Sequence, residues 1–140
     1  MDKTKVIKKL NEMMNLELSG ALKYIQYSYG IFGVRRKPVI EFLREQAMES
    51  IGHAMKLGDK ITGLGGNPVV RVEEDLKPKK VAIEQILKES TQIESKALDG
   101  YMSMLKDVGD DVVMDNFIRE FVSEESGHLE EVEKMLRSEV

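Results

Sequence analysis

The sequence predicts an all-α fold: a four-helix bundle with one long crossover between its second and third helices. Three observations carry that prediction. Only three of the 140 residues are proline, and proline and closely spaced glycine fall together between apolar stretches. Within each stretch, apolar residues recur at three- and four-residue steps, the period of a helix with one buried face. The gap in the middle of the chain is about 15 residues, enough to span about 50 Å when extended and so to cross a whole bundle.

The first helix is predicted over about residues 5–29 and is broken between Gly30 and Pro38. The second covers about 39–61 and stops at Gly63, Gly65, Gly66 and Pro68. The third covers about 81–106 and breaks at Gly109. Asp110 or Asp111 then caps a fourth over about 112–137. At about 1.5 Å per residue, these helices are about 35–40 Å long. Short first and third joints make each flanking pair antiparallel, and the long crossover makes the second and third helices parallel.

Composition narrows the function. Hydrophobic residues are 41% and charged residues 33%, which suits one folded domain over 1–140. The chain has no cysteine, which excludes disulfides, thiolate zinc sites, iron–sulfur clusters and cysteine nucleophiles. A net charge of −4 argues against a nucleic-acid partner. The small basic patch of Lys77, Lys79 and Lys80 reads as solvated surface. No apolar run approaches 18 residues, so no membrane partner is expected. The N-terminal lysines lack an apolar segment behind them, so the expected location is cytoplasmic.

The buried stripes contain residues that a plain core would exclude. The first helix runs Val6, Leu10, Met13, Glu17, Ala21, Tyr24; the third runs Ile83, Leu87, Ser90, Glu94, Leu98, Tyr101, Leu105. The fourth runs Met114, Ile118, Phe121, Glu125, His128, Val132, Met135. The second runs Val39, Phe42, Gln46, then Glu49 or Ser50, then His53, Leu57 and Ile61. Each interruption lies near mid-helix, so packing brings them into one layer. Buried carboxylates without partners cost several kcal/mol each and repel one another. These stripes hold no lysine or arginine to neutralise them, whereas divalent metal ions would do so. His53 and His128, the chain's only histidines, add nitrogen donors that suit iron, manganese or zinc.

Leu10-Asn11 followed by Leu16, Glu17, Leu18 and Tyr24, the segment from His53 to Leu64 and Pro68, and the run Glu124, Glu125, Gly127, His128 resemble bacterioferritin and its ferritin-like di-iron relatives over essentially the whole chain. The resemblance implies two irons per subunit, with manganese or zinc as substitutes, and Fe(II) oxidation by O₂ or H₂O₂ for iron storage or detoxification. It makes Glu17 and Glu94 terminal carboxylates, Glu125 a bridge, His53 and His128 ligands of one metal each, and Tyr24 a neighbour of the site. Three departures stand out. The family's glutamate three residues before the second-helix histidine is Ser50 here, with Glu49 one residue earlier as the candidate sixth ligand. The haem-ligating methionine two residues before that histidine is Ile51, which argues against haem. The sequence stops at Val140, short of the fifth helix of cage-forming relatives.

Two other functions fit the same residues: a rubrerythrin-type peroxide scavenger fed by an external electron donor, and a non-catalytic metal-binding bundle with a degenerate site. Apolar residues off the stripes predict a homo-oligomer, at least a two-fold dimer and at most a cage. They are Ile25, Tyr27, Ile31 and Phe32 near the first helix and Ile40, Leu43, Met48 and Met55 on the second.

Overall fold

The computed structural model describes residues 1–78 and 82–138. Four helices account for the regular structure among them: α1 (Lys3–Ser28), α2 (Arg36–Gly63), α3 (Ile83–Val108) and α4 (Val112–Leu136). Val81, the expected start of the third helix, lies outside the described residues, as do Lys79, Lys80 and Val140. None of these helices is long and apolar enough to cross a membrane.

The helix ends follow from side-chain chemistry. Asp2 and Asp111 accept from the backbone amides of Lys5 and Met114, capping α1 and α4. α2 begins at Arg36, three residues before the expected start at Val39, because proline fits the first turn, where amides lack helical acceptors anyway. It ends in a Schellman turn: the Gly66 amide bonds Ile61 O at 2.9 Å and the Gly65 amide bonds Thr62 O at 3.0 Å. Gly65 has φ of 85°, where a side chain would be strained, and a Cβ on Gly66 would lie 2.8 Å from Ile7.

α1 packs on α2, α3 on α4, and α1 on α3. The crossover returns along α1 in the direction of that helix. Asn11 accepts from Val69 N at 2.8 Å and donates to Asn67 O at 3.3 Å. Asn15 accepts from Arg71 N at 2.6 Å and donates to Val69 O at 2.9 Å. Ser19 then bonds Glu74, and Lys23 lies 4.0 Å from the same carboxylate. Two side-chain amides thus serve as backbone rungs for an extended segment. The crossover delivers the chain back to the end where α2 starts, and Arg35 meets Glu84 there at 3.0 Å. α2 and α3 are therefore parallel, as predicted.

The apolar interior forms two clusters. One gathers Val6, Leu10, Leu57, Ile61, Met104 and Ile118; the other gathers Tyr24, Ile31, Val39, Ile40, Leu43 and Ile86. Between them lies a polar layer of Glu17, Ser50, His53, Glu94 and Glu125, all buried. The structure corrects the expected outer face. Ile31, Ile40 and Leu43 are buried within their own chain, because the α1–α2 joint folds Ile31 inward and the inward face of α2 is wider than one stripe. Phe32, Met48 and Met55 do face outward, at 74%, 66% and 63% exposure.

Candidate metal centre

All four helices feed the polar layer at mid-length. Glu17 on α1, Glu94 on α3 and Glu125 on α4 are 4%, 3% and 2% exposed. His53 on α2 is equally enclosed, and His128 on α4 is a little more open. The imidazole rings stack with centroids 6.0 Å apart and planes within 15°. His53 presents Nδ1 to Glu17 Oε1 at 3.4 Å and to Glu125 Oε1 at 3.2 Å. His128 presents Nδ1 to Glu94 Oε2 and to Glu125 Oε2, each at 3.7 Å. Those last approaches are electrostatic contacts, too long for hydrogen bonds.

Two overlapping donor groups result, Glu17–His53–Glu125 and Glu94–Glu125–His128, and within each the donor atoms lie within 4.8 Å of one another. Glu125 belongs to both. Its Oε2 is buried and has no hydrogen-bond partner among the described residues. An oxygen so placed is costly unless a cation or proton meets it.

The outward nitrogens are held by carboxylates from the opposite hairpin. His53 Nε2 lies 2.5 Å from Glu124 Oε2, and His128 Nε2 bonds Glu49 Oε2. Each pairing fixes the imidazole ring and directs its Nδ1 inward. The structure thus puts Ser50 on the inward stripe of α2 and leaves Glu49 half-exposed, its carboxylate outside both donor groups. Tyr24 OH donates to Glu94 Oε1 at 2.5 Å, and Tyr101 OH donates to Glu17 Oε1 at 2.7 Å. Phe121 closes the floor, its ring 4.8 Å from that of Tyr101 and 5.1 Å from that of His53.

Two contributors are not among the expected site residues: Glu124, which lies off the stripe of the fourth helix, and Tyr101, which lies on the stripe of the third and reads as core. Their signal is an internal repeat. Tyr101 follows Glu94 by the interval at which Tyr24 follows Glu17, and Glu124 precedes Gly127-His128 as Glu49 precedes Gly52-His53. Each helical hairpin therefore supplies a carboxylate, a tyrosine, an outer carboxylate and a histidine in the same order. The outer carboxylates and tyrosines cross to the other hairpin's ligands. The repeat breaks at one inward position, where Ser50 stands in α2 and Glu125 in α4.

Packing the charges together shifts their protonation. Burial pushes the Glu125 carboxyl up to about 8, and Glu94 and Glu17 beside it add to the rise against the pull of the imidazoles. Burial alone would lower both histidines, but their carboxylate neighbours prevail and raise each to about 10. Burial likewise disfavours charge on Glu94, yet His128, Glu125 and Tyr24 hold its carboxyl below the usual range. Burial and the adjacent carboxylates keep the Tyr24 and Tyr101 phenols protonated, as donors. Without metal the layer holds protons on its imidazoles; a divalent ion would replace them at Nδ1.

A cavity of about 560 Å³ leads to the centre between α2 and α4, lined by Glu49, His53, Lys56, Glu124 and His128. Gly52 and Gly127 lie on its wall, and no atom comes within 4 Å of where a Cβ would sit on either. The opening suits a small ion or molecule.

Known proteins place this geometry. The family model of the ferritin-like domain matches residues 7–139. The bacterial non-heme ferritins of Escherichia coli O157:H7 and Shigella flexneri are each 29% identical over 140 residues, spanning 99% of this chain and 82% of theirs. Among solved structures, a ferritin-like, diiron-carboxylate protein of Bacillus anthracis superposes with a TM-score of 0.87 at 22% identity, covering 98% of this chain and 99% of that one. The Desulfovibrio desulfuricans bacterioferritin does so with a TM-score of 0.86 at 24% identity, covering 96% and 79%. The Chlorobium tepidum ferritin gives 0.88 at 22% identity, covering 97% and 85%. The four-helix bundle with its long crossover, built around a carboxylate–histidine layer, is a ferritin-like domain, and the chain belongs to that family.

Proposed function

We propose that this protein binds two Fe(II) ions per chain as substrate and oxidises them with O₂ or H₂O₂, in the service of iron storage or detoxification. Glu17, His53 and Glu125 hold one ion; Glu94, His128 and Glu125 hold the other. The observation that carries this reading is the buried Glu125 oxygen, without a hydrogen-bond partner among the described residues, at the junction of two carboxylate–imidazole groups. The donor set also fits: carboxylate and imidazole suit iron and manganese, and no soft thiolate is present. Iron supplies the redox chemistry; the protein supplies ligands, spacing and enclosure. Glu49 and Glu124 orient the imidazoles and accept their Nε2 protons. Tyr24 and Tyr101 hold the terminal carboxylates of the opposite hairpin. Fe(II) reaches the layer through the cavity between α2 and α4, past the negative charges of Glu49 and Glu124.

An anaerobic Fe(II) titration tests the reading, with two ions per chain expected, followed by oxidation when O₂ or H₂O₂ is added. Binding without oxidation would favour the non-catalytic bundle, to which Ser50 lends some support. No binding would reject the metal centre altogether. The outward residues Leu22 and Tyr29 on one helix face, and Met48 and Met55 on another, support a two-fold dimer through α1 and α2. A solution mass of about 16 kDa, that of a single chain, would reject it.

A further inference from the structure

The one break in the internal repeat has a chemical consequence. Glu125 is the inward carboxylate of α4 and serves both donor groups. Its counterpart in α2, three residues before His53, is Ser50, buried on the inward stripe. Serine ends one atom beyond its Cβ, so the second bridging position has neither charge nor bulk. Glu49 does not fill it, because its carboxylate is bonded to His128 on the outer side. Each donor group would then offer its ion three residues, which leaves coordination positions open when each gives one atom. Two divalent ions also bring four positive charges to a buried layer with three carboxylates.

We infer that the metal-loaded centre binds a small exogenous oxyanion, a carboxylate or phosphate, which bridges the two ions at the place Ser50 leaves open. This rests on the metal-binding reading of the same site. The ligand class follows from the vacancy: an anion with two oxygens on one central atom does what a second glutamate would do. The cavity between α2 and α4 has the volume for an anion of this size; its wall carries Glu49 and Glu124 as well as Lys56, so the charge that draws an anion inward is that of the bound metal pair, and anion binding requires the metal.

Cobalt(II) is the probe metal, because it needs no oxidant and its visible spectrum reports its ligands. The full chain is loaded anaerobically, then titrated with acetate and, separately, with inorganic phosphate, by absorbance and calorimetry. One anion per metal pair is expected, with a shift of the cobalt bands; acetate alone or phosphate alone identifies the source. Ser50→Glu should weaken anion binding at least about tenfold. Ser50→Leu fills the same place without charge and should do likewise, while Ser50→Ala should retain binding. Two cobalt ions bound with no anion response would overturn this inference and leave the metal centre standing. Undiminished anion binding in both filled variants, or equal binding to metal-free protein, would also overturn it. Failure of cobalt to bind at all would reject the metal centre, and the inference with it.

Discussion

The hairpin α1–α2 and the hairpin α3–α4 bring matching parts to the centre, yet they are not equivalent. Glu17 answers to Glu94, Tyr24 to Tyr101, Glu49 to Glu124 and His53 to His128, and each outer group reaches across to the opposite half. The inward carboxylate alone is one-sided, with Glu125 in one hairpin and Ser50 in the other. Duplicated parts keep the two donor groups alike in chemistry. Sharing Glu125 makes both groups depend on one residue of α4. Substitutions at matching positions should therefore give similar effects everywhere except at this pair.

The largest contrast lies there. Glu125→Ala should lower Fe(II) oxidation by about 100-fold or more, since both ions lose a ligand, while Ser50→Ala should change it by less than about threefold. Stopped-flow absorbance measures both, and equal losses would contradict the one-sided bridge. Next come the terminal carboxylates. Glu17→Ala and Glu94→Ala should each strongly slow oxidation, reduce stoichiometry to about one ion per chain and lower the metal-free melting temperature, because a buried tyrosine hydroxyl loses its acceptor and an imidazole loses a neighbouring carboxylate. Full two-ion stoichiometry in either variant would remove that carboxylate from the centre.

A smaller effect is expected from the outer carboxylates. Glu124→Ala should weaken metal affinity about tenfold through His53, and Glu49→Ala should do so through His128. Imidazole NMR signals should show the crossing: Glu49→Ala perturbs the His128 ring first. Perturbation of His53 first would break the crossed arrangement.

The smallest contrast concerns pH. Raised folded-state values for His53 and His128, about 10, stabilise the metal-free fold fully below the unfolded histidine value, and this stabilisation is lost as pH rises toward 10. Glu125, raised to about 8, has the same sign: its contribution is complete below the unfolded carboxylate value and lost as pH rises through about 8. The metal-free melting temperature should therefore fall by about 5 °C between pH 6 and 9.5. The increment added by bound metal should grow over the same range, because binding displaces protons. Calorimetric scans with and without cobalt would show the two trends diverging.

Much of this centre was legible in sequence because helical period alone assigns Glu17, Glu94, Glu125 and the histidines to buried stripes. Period could not choose between Glu49 and Ser50, which are adjacent; the choice was made by burial of Ser50 and by the His128 nitrogen that holds Glu49. Glu124 and Tyr101 were missed as site residues because their partners lie on other helices, and one-dimensional spacing says nothing about what a side chain meets across the bundle. The misassigned outer residues Ile40 and Leu43 failed for a related reason: a stripe drawn at one residue per step underestimates the width of a face packed against two neighbours. Ile31 failed because the joint after α1 folds it inward.

The paired asparagines on α1 limit what the long crossover can become. Each four-residue step along a helix advances about 6.0 Å, while two residues of extended chain advance about 6.6 Å. The two lengths nearly match, which keeps Asn11 and Asn15 in step with the extended segment. The next contact, from Ser19, reaches the Glu74 side chain instead of a backbone group. A residue inserted between Asn67 and Arg71 would throw at least one pair of rungs out of register, whereas one inserted beyond Glu74 would disturb none of these bonds. The crossover is therefore under two rules: a gauged length bound to α1 up to Glu74, beyond which added length leaves those rungs intact.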